Sequence, residues 1–455
     1  MKFNYLMFCL IAFSSYAQEK DTWFTTFQIM GKSFQMQMDI EGEKIYLTDV
    51  LDHTFENKLI ETELLTADSI AFSWKQIGLK YRGNIKADQQ RIQGQMTQGI
   101  TWEAEFTKKL QDIKKIKRPQ TDHLTCEGER IDTLIPGEKI KLGASLYLPK
   151  NFSSKTKIAV MISGSGPQDR NEEILGHKPF LFISHYLTSN DIAVLCFDDR
   201  GVKKSTGSYA TASMEDFTND VLACVKFLKR FKRTKKNEIG LIGHSEGGML
   251  AMMATKKQKD ISFLIFLASV GTSGKEVLLD QQFEIPLKTG NGEALSRWNQ
   301  NLFLHTLEII ENHTTEASKD LIHKMIDSML LLCPDSTLKS NALSYKTSIN
   351  NLLNNSWGRS FIQFETKDYL PYFRNPVLAI NNEKDIQVNA AKNQVGFQNN
   401  LSSESKDKSK CIIQPGLNHL FQNCITCDIQ EYGELEETFD VNTLKIMVDW
   451  IKQLN

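Results

Sequence analysis

The stretch Ile239-Gly-Leu-Ile-Gly-His-Ser-Glu-Gly-Gly248 decides the fold of this chain of 455 residues. Its apolar first half predicts a buried strand, and the run 246–255 predicts a helix. A serine between such a strand and helix lies on a strained turn that projects its hydroxyl above the sheet. Gly243 and Gly247 remove side chains that would crowd this turn. The alternative is a glycine-rich turn in any α/β protein, but the flanking strand and helix favour Ser245 as a nucleophile.

Backbone donors for a negatively charged oxygen are expected at two places. The helix that starts at Glu246 directs its N-terminus at the serine, so the N–H of Glu246 can stabilise an oxyanion. A second donor belongs in the loop after an earlier strand, which reads Ser163-Gly-Ser-Gly-Pro-Gln-Asp-Arg-Asn171. The candidate is the N–H of Ser165 or of Gly166, because glycines let this backbone approach a ligand. The loop lacks the P-loop lysine pattern, which argues against phosphate binding.

An acid and a base should follow the serine in chain order. Asp385 occupies the loop after the next-to-last predicted strand, and this position makes it the preferred acid over Glu383 and Asp428. His419 occupies the loop after the last predicted strand, whereas taken alone it would be a surface histidine. In these roles Ser245 attacks, His419 accepts its proton, and Asp385 fixes the histidine tautomer and stabilises the imidazolium.

The position of His419 distinguishes it from the other histidines, since it alone of the nine lies behind the last predicted strand. His244 lies inside the turn, and its ring is expected to point away from the serine. Three others fall in a helical insertion described below: His305, His313 and His323.

Composition excludes several classes of partner. The formal charge is −1, so nothing indicates binding to nucleic acid or to an anionic membrane. Hydrophobic content of 41% and charged content of 24% are typical of a soluble globular protein. The basic runs at 114–118 and 229–236 are local, and we interpret both as solvated surface. No cofactor motif is present, and a small molecule is the expected partner.

The N-terminus has the pattern of an export signal over residues 1–17. Lys2 supplies the charge, Tyr5–Phe13 is a short apolar core, and Ala17 offers a small residue for cleavage. The apolar core is too short for a permanent membrane span. Cys9 lies inside it rather than at its end, which argues against a lipoprotein. The mature chain is therefore expected to be periplasmic or secreted, with no integral membrane segment.

The cysteines do not resemble a disulfide scaffold, since seven scattered residues remain once Cys9 is removed. Cys424 and Cys427 have the C-x-x-C spacing, which leaves a short-loop disulfide open in an oxidising compartment. No second pair or flanking histidine supplies a zinc site, so no metal is expected.

Two regions of the chain differ in their pattern of apolar and polar residues. Residues 18–118 alternate apolar and polar side chains in short runs separated by turn residues, which predicts a small all-β accessory domain, sandwich or barrel. A packing role is favoured there over ligand binding. From 119 to 455 strands alternate with helices, which predicts a parallel or mixed sheet. Residues from about 275 to 367 have helical spacing between two strands, and we expect them to form a cap.

Four motifs together carry a family resemblance. They are Ser163–Asn171, Phe197-Asp-Asp-Arg-Gly-Val202, Leu241–Gly248 and Pro415-Gly-Leu-Asn-His-Leu-Phe421. The chain resembles exported bacterial α/β-hydrolases of the serine aminopeptidase-like group, in particular the EstD-type carboxylesterases with an N-terminal β-domain. The resemblance implies an α/β-hydrolase fold with a helical cap after a small all-β domain. It also implies hydrolysis of short-chain carboxylic esters without a cofactor, and it places the family's serine, acid and histidine on Ser245, Asp385 and His419.

Two departures from the family pattern lie beside the predicted site. Lys203-Lys204 stands where relatives usually have Gly-Lys, and Asn381-Asn382 stands where a glycine is common. Neither changes the three predicted catalytic positions.

Three functions remain open from the sequence. A serine esterase and a serine peptidase or acyl-aminopeptidase share the same chemistry, whereas a non-catalytic binding protein is disfavoured by the intact set of residues. An aminopeptidase needs carboxylates that hold a substrate ammonium, and the sequence does not place the acidic residues of the cap in space. These are Glu308, Glu311 and Glu316. Natural substrate and oligomeric state are not determined.

Overall fold

The computed structural model describes residues 20–454 except 30–31, 52, 87–89, 99, 114–115, 314, 336–345, 348, 351 and 353–354. The expected export signal at 1–17 lies outside the described residues. The chain divides into two compact units, Met1–Lys115 and Ile116–Asn455, and each is described by itself.

The first unit is a closed antiparallel barrel of eight strands, in which each strand pairs with the next and β1 closes on β8. The strands are β1 Asp21–Ile29, β2 Lys32–Glu41, β3 Lys44–Asp49, β4 Lys58–Leu65, β5 Ser69–Trp74, β6 Leu79–Ile85, β7 Arg91–Gln98 and β8 Ile100–Thr107. The predicted all-β domain is confirmed, and between the two expected forms it is a barrel.

Large side chains fill the barrel interior. Strand β6 shows the two-residue period, because Leu79 and Tyr81 are buried while Lys80 and Arg82 are exposed. The hydroxyl of Tyr81 lies within hydrogen-bonding distance of two carbonyl acceptors, Ile92 O of β7 at 3.3 Å and Ala104 O of β8 at 3.2 Å. A barrel of eight strands is just wide enough for side chains to fill it, and the described interior follows that rule.

The second unit contains an eight-stranded sheet in the order β16-β15-β14-β13-β11-β12-β10-β9. Strands β11 to β16 are parallel, while β10 is antiparallel to both of its neighbours. The strands are β9 Glu129–Pro136, β10 Lys141–Leu148, β11 Ile158–Ile162, β12 Ala193–Phe197, β13 Ile239–His244, β14 Phe263–Leu267, β15 Val377–Asn382 and β16 Lys410–Gln414. This mixed sheet, with a serine turn after β13, is the α/β-hydrolase fold predicted above.

Helices cover both faces of the sheet. The described helices of seven residues or more are α1 Pro179–Ser189, α2 Met214–Arg230, α3 Glu246–Lys257, α4 Gly274–Lys288, α5 Gly292–Asn312, α6 Thr315–Leu331, α7 Ser356–Ile362, α8 Ala390–Asn400 and α9 Val441–Gln453, of which α4 to α7 lie in the insertion between β14 and β15. Along β11, Val160 belongs to an apolar cluster that includes residues of α2 and α3, whereas Ala159 and Met161 belong to a second cluster that includes residues of α1 and α9. Both faces of β11 are therefore buried, which explains its unbroken apolar sequence. None of the helices in the described part of the chain is long and apolar enough to cross a membrane.

The insertion between β14 and β15 forms the predicted helical cap from α4, α5, α6 and α7. Helix α4 begins at a capped position, where the Ser273 hydroxyl accepts from the N–H of Glu276 at 3.2 Å. Trp298 and Leu302 of α5 pack against Ile322 and Ile326 of α6. The cap thus has an apolar core of its own.

Arg118 corrects one expectation, because it belongs to a basic run that we interpreted as solvated surface. Its side chain is buried, and its guanidinium donates to four backbone carbonyls: Leu435 O and Gly433 O, each at 2.6 Å, Leu175 O at 3.2 Å and Lys117 O at 3.4 Å. The planar guanidinium can satisfy several acceptors at once, which a solvated lysine would not do. The prediction was wrong for Arg118, which anchors the start of the second unit.

Candidate active site

The turn after β13 holds Ser245 in a backbone conformation that side chains rarely adopt, with φ of 51°. A Cβ at Gly243 would lie 2.3 Å from the backbone of Gly247, and a Cβ at Gly247 would lie 2.1 Å from Ile162 O. Neither position therefore accepts another residue without movement of backbone. The glycines two residues before and two residues after Ser245 are therefore required because any side chain there would meet the backbone, as expected from the sequence.

Hydrogen bonds fix the backbone of Ser245 on both sides. Its N–H donates to Leu267 O at 2.8 Å, and its carbonyl accepts from the hydroxyl of Ser269 at 2.7 Å. Strained backbone persists only where the surrounding structure determines it, and here the neighbouring strand β14 and the residues after it do so.

Asp385 and His419 are brought into direct contact. Both side chains are buried, and His419 Nδ1 lies 2.7 Å from Asp385 Oδ2. The other carboxylate oxygen, Oδ1, accepts from the backbone N–H groups of Gln387 at 2.8 Å and Val388 at 2.9 Å. The carboxylate is therefore held by its own loop with one oxygen directed at the imidazole.

The two other acids weighed from the sequence lie elsewhere. Glu383 is exposed, with its oxygens accepting from the N–H of Gly416 at 3.0 Å and from Lys384 at 3.3 Å. The N–H of Gly416 holds the pKa of Glu383 below its ordinary value. Asp428 accepts from the backbone N–H of Gln430 on the surface.

Ser245 and His419 line one cavity of about 210 Å³ at the carboxyl edge of the parallel strands. Ligands of open α/β sheets bind at this edge, because the loops that follow the strands meet there. Two cap helices supply part of the wall, and the apolar lining residues are Ile174, Val270, Val277, Leu278, Trp357, Phe361, Val388 and Leu420.

The loop after β11 separates the two candidates for the second oxyanion donor. Gly166 N–H already donates to the hydroxyl of Tyr209 at 2.8 Å, and Gly166 does not line the cavity. Gly164 N–H donates to Glu172 Oε1 at 2.8 Å. Ser165 lines the cavity, and this geometry favours its N–H beside that of Glu246, which has no acceptor within its own helix.

His244 corrects a second expectation, because its ring does not point away from the site. It lines the same cavity as Ser245, with its ring centroid 5.0 Å from that of His419. Its Nδ1 lies 2.9 Å from Glu172 Oε1, and its Nε2 lies 3.2 Å from His419 O. Burial lowers the pKa of His244, but the charge and hydrogen bond of Glu172 outweigh burial and raise it.

The pair of Glu172 and His244 was missed by sequence reasoning. His244 is visible within the serine turn, and Glu172 immediately follows the glycine-rich loop, yet 72 residues separate them. Glu172 has a positive φ of 50°, which the sequence does not reveal. Together they connect the loop of Gly164 to the backbone of His419.

Two more buried carboxyl groups support the loop around Ser165. Burial raises the pKa of Asp199 to about 8, although the N–H of Gln168 and the hydroxyl of Ser163 donate to it at 2.8 and 3.1 Å. Burial likewise raises the pKa of Glu246. Perturbed carboxyl groups beside a cavity are frequent at functional sites.

The acidic residues of the cap do not form an ammonium site among the described side chains. Glu308 pairs with His305 at 3.0 Å and Glu311 pairs with Lys275 at 2.7 Å, and neither lines the cavity. The side chain of Glu316 lies outside the described residues. The carboxylate that does line the cavity is Glu172, which His244 already engages.

The described residues also bear on the expectations for a metal site and for a disulfide. Over the described residues, no three His, Cys, Asp or Glu side chains are grouped so as to hold a metal ion. Cys424 and Cys427 are joined in a disulfide in the loop that follows His419.

Comparison with known proteins agrees with the resemblance read from the motifs. Residues 180–323 match the family described as serine aminopeptidase, S33, a segment that contains Ser245 and ends before Asp385. Esterase EstD of Thermotoga maritima is 29% identical over 140 residues, which cover 31% of this chain and 33% of the relative. The match therefore spans about a third of the length of that curated relative.

Two of the solved structures that are similar to the chain come from Butyrivibrio proteoclasticus and Pyrococcus furiosus. Est1E of Butyrivibrio proteoclasticus, solved with ferulic acid, is 18% identical, with a TM-score of 0.40 over 70% of this chain and 100% of that one. An esterase of Pyrococcus furiosus is 16% identical, with a TM-score of 0.44 over 76% of this chain and 99% of that one. The fold assignment rests on the sheet order and the serine turn rather than on these likenesses.

Proposed function

We propose that this α/β-hydrolase is a serine esterase that cleaves carboxylic esters with short acyl chains. The observation that carries the proposal is the buried hydrogen bond between Asp385 and His419 at the wall of the cavity that Ser245 lines. A nucleophile, a base and a group that orients the base are the three parts that acyl transfer requires. The esterase name of the Thermotoga maritima relative supports the same reaction class.

The mechanism follows from these positions. The hydroxyl oxygen of Ser245 attacks the acyl carbonyl, and His419 Nε2 takes the hydroxyl proton while Asp385 stabilises the imidazolium. The N–H groups of Glu246 and Ser165 stabilise the oxyanion. Collapse of the tetrahedral intermediate breaks the ester C–O bond. The leaving alkoxide takes the proton from His419 and departs as the alcohol, and an acyl-enzyme remains on Ser245. Water then attacks the acyl group, again through His419, and the acid departs.

The dimensions of the cavity support small acyl groups. Its volume of about 210 Å³ is below the range of about 300–1,000 Å³ that is usual for drug-sized ligands. Its apolar lining includes Val277, Leu278 and Phe361 from the cap. A longer chain would have to displace these side chains.

Electrostatics support an ester over a peptide. An aminopeptidase needs a free carboxylate for the substrate ammonium, whereas Glu172 is already engaged by His244. An alkoxide or phenolate leaving group also demands less protonation than an amine does. The peptidase alternative thus lacks a described group to hold its substrate.

A substrate screen tests the proposal. We expect 4-nitrophenyl acetate and butyrate to be hydrolysed with a kcat/KM at least about 100-fold above that for the decanoate ester or for any aminoacyl 4-nitroanilide, which is about 2.7 kcal/mol of transition-state free energy. The measurement is initial rate against concentration with each substrate. If an aminoacyl anilide is the better substrate, the esterase proposal is wrong and the protein is a peptidase. If neither esters nor anilides are hydrolysed, the non-catalytic binding protein is the remaining alternative.

We further propose that the chain is exported and acts in the periplasm or outside the cell. The disulfide between Cys424 and Cys427 supports this location, because disulfides persist in oxidising compartments. Expression of the full chain in a bacterial host, followed by mass measurement, should find a mature protein that begins at Gln18 in the periplasm or medium. A cytoplasmic protein that retains Met1 would contradict the proposal.

A further inference from the structure

One buried carboxylate, that of Glu246, touches both the cap and the loop after β11. Its Oε2 accepts from the hydroxyl of Ser165 at 2.6 Å, and its Oε1 accepts from Trp357 Nε1 at 2.9 Å. Glu246 is 2% exposed, and the two donors come from positions 81 and 111 residues away. The cap helix α7 and the loop after β11 are thus connected through a single side chain.

The partners of this carboxylate make a purely structural role costly. Burying a charged group is unfavourable unless it is paired and hydrogen-bonded. The described hydrogen bonds of the Glu246 carboxylate come from two neutral donors, Ser165 and Trp357. The loop that carries Ser165 also holds a second buried acid, Asp199. An apolar side chain would fill the space without that penalty. What the acid supplies, and an apolar side chain would not, is the pair of hydrogen bonds to Ser165 and Trp357.

The backbone position of Glu246 gives this contact its chemical meaning. Its own N–H is the first oxyanion donor proposed above, at the start of α3, and its side chain holds Ser165, whose N–H is the second. A donor displaced by about 1 Å can cost about 100-fold in rate, because the oxyanion exists only near the transition state.

We propose that Glu246 is a positioning residue. Its carboxylate bridges Trp357 of the cap and the hydroxyl of Ser165, so the position of the cap determines the position of the Ser165 N–H, the second oxyanion donor. Trp357 lines the cavity, so an acyl group that contacts the indole also orders its N–H on the Glu246 carboxylate. The carboxylate then fixes the hydroxyl of Ser165. This inference rests on the proposed esterase function, and it makes the cap part of the oxyanion hole.

A double-mutant cycle tests the connection, with Ser165→Ala and Trp357→Phe measured singly and together on 4-nitrophenyl butyrate. Each variant keeps the backbone N–H groups and removes one donor to Glu246. We expect each to lower kcat about 10- to 100-fold with KM changed less than about threefold. The double variant should fall no further than the worse single variant, because both act through the same carboxylate. Multiplying losses would overturn the proposal.

Two comparisons separate positioning from packing. Phe361→Leu changes the same cavity wall on α7, beside Trp357, and removes neither of the two donors to Glu246. We expect it to change acyl-chain preference and KM rather than kcat. Glu246→Gln keeps one acceptor oxygen and offers an N–H to Ser165, so it should retain more kcat than Glu246→Ala. A kcat loss in Phe361→Leu equal to that in Trp357→Phe would assign the effect to cap packing and overturn the proposal.

Labelling of Ser245 distinguishes failure of this inference from failure of the esterase function. Wild-type protein that hydrolyses no ester and takes up no fluorophosphonate would contradict the function itself. Wild-type protein that hydrolyses esters, with Ser165→Ala and Trp357→Phe both retaining full kcat, would contradict only the role of Glu246. Thermal unfolding of every variant identifies any that loses activity by unfolding, and Glu246→Gln then serves as the folded replacement for Glu246→Ala.

Discussion

Replacement of Ser245 by alanine should lower kcat for ester hydrolysis by about 10⁶-fold, as removal of a nucleophile does in serine hydrolases. The remaining turnover would come from the oxyanion donors and from substrate binding. The hydroxyl occupies a strained turn whose backbone is fixed by Leu267 and Ser269, so its loss removes the attacking atom without removing a packing contact of that backbone. Steady-state hydrolysis of 4-nitrophenyl butyrate measures the change.

Labelling with a fluorophosphonate provides the second readout for Ser245. The label should disappear in Ser245→Ala and persist in Ser328→Ala, in which the altered hydroxyl is exposed on helix α6 and bonds only to Lys324 O among its described contacts. The unfolding temperature of Ser245→Ala should stay within a few degrees of wild type. Label retained on another serine of Ser245→Ala would show that the nucleophile lies elsewhere.

Asp385→Asn should lower kcat by about 10⁴-fold, through the wrong tautomer of His419. Two backbone N–H groups, of Gln387 and Val388, donate to Oδ1, so the amide of the introduced asparagine would place its oxygen there. Its NH₂ group would then face His419 Nδ1 and donate to it. The histidine proton would move to Nε2, which could no longer accept the proton of Ser245.

Glu383→Gln is the matched control for the acid, since it makes the same chemical change two residues earlier on an exposed side chain. We expect it to retain at least about half of wild-type kcat. The measurement is kcat for 4-nitrophenyl butyrate in both variants, with thermal unfolding to show that each is folded. A larger loss in Glu383→Gln than in Asp385→Asn would move the acid to Glu383.

Local patterns in the sequence determined the parts of this fold that depend on neighbours along the chain. The two glycines beside Ser245 report a steric limit that holds in any chain at such a turn. The apolar runs of β11, β13 and β15 report burial on both faces of a parallel sheet. Because the loops after parallel strands meet at one edge, the chain positions of Asp385 and His419 were enough to predict that they lie close together.

Strands with weak side-chain patterns cannot be located from the sequence, because the local pattern is the only signal that it offers. Strand β9 is an edge strand with largely exposed or half-buried side chains, and β4 contains a register shift between Thr62 and Leu64 that interrupts its alternation. Hydrogen bonding to the adjacent strands, β10 for β9 and β3 and β5 for β4, makes each of them a strand, and their own side-chain patterns do not show it. The choice of a closed barrel over a sandwich likewise depended on the pairing of β1 with β8.

What only the tertiary structure decided are the contacts that join distant polar groups. Gly166 and Ser165 are equivalent in the sequence until the Tyr209 hydroxyl takes the N–H of Gly166. Arg118 reads as a surface cation until three carbonyls from elsewhere in its unit surround its guanidinium. A hydrogen bond requires two groups within about 3 Å. A residue type carries no information about a partner that lies 43 or 317 positions away in the chain. The sequence therefore determined where the reacting groups stand, and the fold determined which polar groups hold them there.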